Sequence, residues 1–258
     1  MVEQQFVVLG MHRSGTSIVA NMLHRAGISM GTDFIKGKAS NVDGHFEDKA
    51  MVAANERIFS LIRASWDKIP SSKDISSISD EVKNEYRSFI SSKCGIWGVK
   101  DPRLNLFIEY LEPFLSAPVY IYCKRPELDV AQSLLVRDNM PIEHGLLLKR
   151  EYDTLIESFL VGKKNVVAVE YDELTKYPEK AIRNVFTVAN YKPTVTIGEI
   201  IKPVKDRSSL STAKRKTLFQ DIFISFIKVM FHPKIFSFQK IKSKLARWAR
   251  EYKATMKK

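Results

Sequence analysis

Near the start of the chain, Gly10-Met-His-Arg-Ser-Gly15-Thr16-Ser17 combines two glycines five apart, an arginine and a hydroxyl pair. Glycines there let successive backbone N–H groups turn inward, and a helix opening just beyond adds positive potential. This is the spacing of a phosphate-binding loop, whose expected guest is an anion. Arg13, Ser14, Gly15, Thr16 and Ser17 are its candidate contacts. Thr16 stands where a loop that cleaves nucleoside triphosphates carries its lysine, and the cation has moved into the loop as Arg13. That exchange weighs against ATP or GTP cleavage. Further on, Tyr120-Ile-Tyr-Cys-Lys-Arg125-Pro126 runs into a stretch that presents Ser133 eight residues after Arg125. An arginine at a strand end and a hydroxyl two helical turns later can grip one phosphate from two sides.

Those residues need a scaffold that alternates strands and helices. Phe6–Leu9 is a short apolar run ending at Gly10, the pattern of a buried strand entering a turn. Helical spacing follows over Ser17–Ala26, closed by Gly27. Asp48–Ala64, Glu81–Ser92, Leu104–Leu115, Glu127–Arg137, Leu146–Val161 and Pro178–Asn190 read as helices, the last with proline in its first turn. Ile96–Val99, Pro118–Cys123 and Asn165–Val169 read as further strands, and the Ser- and Lys-rich residues 67–80 as a surface loop. Apolar strands separated by helices predict a three-layer α/β/α fold around a central parallel sheet.

Composition narrows the class. A chain of 258 residues, 45% hydrophobic and 27% charged, is globular. Residues 1–202 carry 26 Lys/Arg against 26 Asp/Glu, whereas residues 203–258 carry 15 against 3 and so hold the whole net charge of +12. The expected division is a neutral domain, 1–202, followed by a basic helical extension, 203–258. A neutral body gives no support to nucleic-acid binding. Cys94 and Cys123 are too few for a disulfide framework, and each lies in an apolar run that predicts a buried thiol in a reducing compartment.

The loop and the Arg125…Ser133 pair, in that order and on those strand ends, resemble the sulfotransferases that use 3′-phosphoadenosine 5′-phosphosulfate (PAPS). The likeness runs from residue 6 to about 190, and is strongest to bacterial carbohydrate-type and tyrosylprotein enzymes. It implies that the loop holds the 5′-phosphosulfate and that Arg125 and Ser133 hold the 3′-phosphate. It implies further that Glu47, in Gly44-His-Phe-Glu47-Asp48, is the catalytic base. The neighbouring Asp48 is a credible helix cap, and His45 an alternative base. Trp97-Gly-Val-Lys100-Asp101-Pro102-Arg103 is similar to a Lys-Asp-Pro segment in which the lysine meets the departing phosphate. Asp101 can also be read as a magnesium ligand or as the group that orients Lys100 or Arg103. The implied reaction is a metal-free, in-line sulfuryl transfer from PAPS, releasing 3′,5′-adenosine bisphosphate (PAP), with Glu47, Lys100 and Arg13 as the reacting groups. Arg207 is the expected late nucleotide contact. The glycine-rich Arg-Lys-Gly signature of cytosolic small-molecule sulfotransferases is missing, which points away from steroids and phenols toward a hydroxyl of a glycan or glycoconjugate.

The loops at 31–46 and 65–80 and the Asn139–Gly145 turn are the expected acceptor walls. In the extension, Ile241, Leu245, Trp248 and Tyr252 share one helical face ringed by lysines and arginines. Such a helix, spanning 233–258, suits either an anionic membrane surface or a docked terminal helix. A lipid-linked acceptor would fit the former. With the first apolar run at Phe6, no leader or span is expected, and the predicted location is cytoplasmic, with peripheral attachment to the inner membrane face. Two alternatives stand beside this reading. One is a P-loop small-molecule kinase using ATP and magnesium; the other is a non-catalytic nucleotide-binding module recruited through its basic tail.

Overall fold

The computed structural model describes residues 3–35, 46–202 and 204. His45, Arg207 and all of the basic extension 203–258 except Val204 lie outside the described residues. Four parallel strands form the sheet: β1 (Gln4–Leu9), β2 (Ile96–Lys100), β3 (Pro118–Lys124) and β4 (Val166–Glu170), in the order β2-β1-β3-β4.

Period-two alternation along these strands builds two cores. Val7 and Leu9 of β1 and Tyr120 and Tyr122 of β3 face one side. There they meet α2 (Lys49–Leu61), α4 (Ser79–Ser91), α6 (Glu127–Asp138) and α7 (Ile142–Leu160). Phe6 and Val8 of β1 and Val119, Ile121 and Cys123 of β3 face the other side. There α1 (Thr16–Arg25) and α9 (Pro178–Ala189) cover them through Val19, Leu23, Ile182 and Val185. With both faces apolar, the central strands β1 and β3 cannot rest against water, which is why β1 reads as a continuous hydrophobic run. The expected three-layer α/β/α architecture is the one observed.

Register sets the functional edge. Val8 pairs with Lys100, Leu9 with Tyr122, and Lys124 with Glu170. The residues that follow these strands therefore emerge along a single edge of the sheet. The connection from β1 leads to β2 on one side while β3 lies on the other, so a crevice opens beyond the carboxyl ends of β1 and β3. In open parallel sheets that switch point is the usual ligand site.

Several boundaries differ from the sequence reading. Residues 67–80 are not all loop: α3 (Ser72–Ser77) forms there and α4 begins at Ser79. Ser71 and Asp74 make a reciprocal capping box, and Ile75 and Ile78 pack on the core, which outweighs the helix-poor serines. Residues 104–115 do not form one helix. A 3-10 turn (Pro102–Leu106), α5 (Ile108–Leu111) and a second 3-10 turn (Glu112–Phe114) replace it, broken where Phe107 leaves helical geometry with φ −131°. Gly145 is not a turn residue either. It lies inside α7, where a Cβ would meet Ala131 of α6 at 3.0 Å, so it permits close contact of the two helices. A short helix unseen in the sequence, α8 (Tyr171–Lys176), follows β4 directly. Cys123 is buried, its thiol pushed up to about 12 by burial, whereas Cys94 is exposed, contrary to expectation.

Candidate active site

The loop after β1 is clamped in place. Asn105, 2% exposed, accepts from the Gly10 N–H at 3.1 Å and donates through Nδ2 to the Gly10 and Pro102 carbonyls at 3.0 and 2.6 Å. Gly10 has φ +142°, and a Cβ there would meet the Cys123 carbonyl oxygen and Thr16 Cγ2 at 2.9 Å. Gly15 has φ +94°, and its Cβ would strike the Tyr171 ring at 2.9 Å. Glycine is therefore required at both ends on conformation and space together. Arg13 also lies in the left-handed region at φ 72°, an unfavourable place for a non-glycine residue. Beyond the loop, α1 starts at Thr16 with no side-chain cap, so its first N–H groups face the crevice end of the sheet.

Two motifs more than a hundred residues apart meet at this loop. Arg13 donates through Nε to Ser133 Oγ at 2.7 Å, and Arg125 Nη1 donates to the Arg13 carbonyl at 2.9 Å. The Arg125 guanidinium lies over the Tyr171 ring, 4.2 Å from its centroid. Its Nε is 3.9 Å from Asp129, too far for a hydrogen bond. Among the described residues, buried Ser14 Oγ and Arg125 Nε have no hydrogen-bond partner. Burial, with the charges of Arg137 and Arg125 behind it, lowers the pKa of Arg13.

On the β2 side lies a buried ionic network. Lys100 Nζ meets Glu47 Oε1 at 2.6 Å and lies 3.4 Å from Ser17 Oγ, the second hydroxyl of the loop. Arg103 reaches Glu47 Oε2 at 3.3 Å, Asp101 Oδ1 at 2.9 Å and Glu56 Oε1 at 2.9 Å. Asn55 Nδ2 donates to Asp101 Oδ2 at 2.9 Å, and Tyr86 OH donates to Asn55 Oδ1 at 2.8 Å. Burial lowers the Lys100 pKa against the opposing pull of Glu47. Burial likewise raises Asp101, though Arg103 resists it. For Arg103 burial acts downward, but Asp101 and Glu47 outweigh it and the net shift is up. Asp101 Oδ1 and Oδ2 are thus engaged by Arg103 and Asn55. Asp48 caps α2 by accepting from the Ala50 N–H at 2.9 Å and pairs with Lys93 at 2.8 Å, which leaves Glu47 as the carboxylate turned to the loop.

The structure thus gathers Arg13, Ser14, Gly15, Thr16, Ser17, Glu47, Lys100, Arg125 and Ser133 around one strand edge. Sequence reasoning missed Asn105, Asn55, Tyr86, Tyr171 and Arg137. Only Arg137 left a signal, four residues after Ser133 and so on the same helical face. Asn105 and Asn55 are ordinary polar residues until the fold places them.

No protein-family model matches this chain, and no curated protein matches its sequence. Solved structures do match. The sulfotransferase STF9 from Mycobacterium avium aligns with TM-score 0.50 at 15% identity, over 81% of this chain and 68% of that one. The sulfotransferase domain from the curacin biosynthetic pathway aligns with TM-score 0.49 at 15% identity, over 78% of each chain. The sulfotransferase domain of the Synechococcus PCC 7002 olefin synthase aligns with TM-score 0.47 at 16% identity, over 74% of each. The chain has the P-loop-like sulfotransferase fold. Among the described residues, no helix is long and apolar enough to cross a membrane.

Proposed function

We propose that this protein is a sulfotransferase that moves a sulfuryl group from PAPS to a hydroxyl of a glycan or glycoconjugate. One observation carries the reading: Arg13 of the loop donates to Ser133 of α6, and Arg125 after β3 donates to the Arg13 carbonyl, so the two motifs meet at the loop. A donor with anionic groups at both its 5′ and 3′ ends needs that convergence, and a loop serving a single phosphate does not. The donor set fits such a nucleotide. Buried Ser14 Oγ and Arg125 Nε have unused hydrogen-bonding capacity among the described residues, and both arginines present N–H groups. Arg13, Ser14, Gly15, Thr16 and Ser17 would hold its 5′ end, and Arg125 with Ser133 its 3′-phosphate.

When bound, the nucleotide supplies a sulfuryl group on a mixed anhydride. The protein then handles one proton and one developing charge. Glu47 takes the acceptor's hydroxyl proton; each of its oxygens is held by one cation and keeps a lone pair for that purpose. Lys100, Arg13 and the loop N–H groups hold the negative charge that grows on the departing phosphate as the acceptor oxygen attacks from the opposite side. Arg103, itself held by Asp101, fixes Glu47.

Calorimetric titration with PAP, with Mg·ATP and 5′-AMP as controls, tests the reading. Tight binding of PAP without metal is expected, weakened at least about tenfold in Arg125→Ala, the loss of a charge-assisted contact. Glu47→Gln should keep PAP affinity and lose about 10²–10⁴ in turnover, the usual worth of a general base. A preference for Mg·ATP, or indifference to the 3′-phosphate, overturns the proposal. Unchanged turnover in Glu47→Gln removes that residue from its role.

A further inference from the structure

A second cationic niche lies on the flank of the loop that the donor contacts leave unused. The His12 ring meets Trp66 at a tilt of 59°, with ring centroids 4.5 Å apart, and the Arg137 guanidinium lies 5.4 Å from the Trp66 centroid. Trp66 is held from behind, since its carbonyl accepts from Tyr152 OH of α7 at 2.9 Å. Arg137 donates through Nε to Asp138 at 2.6 Å, and its two Nη groups donate to no protein acceptor among the described residues. His12 Nε2 is buried and also without a partner there. Burial lowers the His12 pKa, and the charges of Arg137, Arg103, Lys100 and Arg13 act in the same direction.

We infer that this niche receives the acceptor and that Arg137 recognises an oxyanion on it, so the acceptor is an acidic sugar bearing a carboxylate, sulfate or phosphate group. The inference rests on the sulfotransferase reading for the word acceptor, and on three observations for the chemistry. Trp66 follows α2, and Glu47 immediately precedes the Asp48 cap of that helix, so the group that takes the proton and the wall of the niche flank one element. An aromatic face beside the loop offers a sugar ring a flat apolar surface. The Arg137 guanidinium lies near that ring, 5.4 Å from its centroid, and its Nη groups can meet a carboxylate or a phosphate with two hydrogen bonds.

Full-length protein is titrated calorimetrically with D-glucuronate, D-glucose 6-phosphate and D-glucose, each with and without saturating PAP. The wild type should bind at least one of the two anions about tenfold or more tightly than glucose, as expected for a charge-assisted pair. Arg137→Leu should reduce that anion to the level of glucose and leave the PAP dissociation constant within twofold. Arg137→Lys should recover part of the preference, which separates loss of charge from loss of packing on Trp66. The arm that responds distinguishes a carboxylate acceptor from a phosphorylated one. Equal binding of the three sugars, or none, overturns the inference. Loss of PAP affinity in Arg137→Leu also overturns it and assigns the residue to the donor. Should the wild type not bind PAP, the donor reading fails, while the nucleotide-free titrations still decide Arg137.

Discussion

Glu47 and Lys100 make a coupling that can be measured without any substrate. Their charged atoms are 2.6 Å apart, and the side chains are 9% and 1% exposed. Coulomb's law at an effective dielectric constant near 20 gives about 6 kcal/mol for unit charges at the separation of 2.6 Å. Desolvating two buried ions takes back several kcal/mol, so a net coupling of about 2–3 kcal/mol remains. Glu47→Gln strands the Lys100 ammonium with a neutral acceptor and should cost about 3 kcal/mol. Lys100→Met should cost about 1–2 kcal/mol, because Arg103 still satisfies Glu47 and the apolar stem is kept. The double variant should then lose only about 2 kcal/mol, well short of the sum. Urea unfolding of the four proteins, followed by far-UV circular dichroism, gives each value. Additivity within about 0.5 kcal/mol would falsify the claim that these charges hold one another.

Two further outcomes follow from groups around the loop. Asn105→Ala removes three hydrogen bonds and leaves the Gly10 N–H and carbonyl unsatisfied, which should cost about 2–3 kcal/mol, or about 5–10 °C in melting temperature. A fall below about 2 °C would show that the loop is held by something else. His12 is held below its ordinary value of 6.5, chiefly by burial, so the folded protein binds fewer protons there than the unfolded chain. Stability from this group is fully present above pH 6.5 and is lost as the pH falls through the lowered value. Between pH 7.5 and 5.5 the melting temperature of the wild type should therefore drop further than that of His12→Gln; parallel curves would refute the assignment.

The sheet was legible because its signal is redundant. Each buried strand is a run of apolar residues, and Gly10, Gly27 and Pro178 punctuate the helices. Residues 104–115 misled because their apolar spacing suits a helix, while the fold uses Asn105 to hold the loop and breaks the helix at Phe107. The serines of 71–79 misled in the opposite sense, since a capping box stabilises a short helix that composition disfavours. The ends of the site were visible as types and spacings: Gly10…Ser17, Arg125…Ser133, Lys100-Asp101-Pro102-Arg103. Its interior was not. Asn55 bonded to Asp101, and Tyr86 to Asn55, are contacts between residues 46 and 31 positions apart that no local pattern announces.

The position of β1 between β2 and β3 has a consequence for how such a chain can change over time. Glu47, Asn55, Lys100, Asp101 and Arg103 come from the segment leading to and just past β2, whereas Arg125, Ser133 and Tyr171 come from β3 onward. Each set is bonded to the central loop, the first through Lys100 and Ser17, the second through Ser133 and Arg125 to Arg13. Substitutions that alter the Glu47 ion network can fall in the earlier segment while the later arginines stay in place, and the reverse. Inheritance can thus act on the two halves as separable characters, with the glycine-bounded loop as the joint that must stay constant for either to vary.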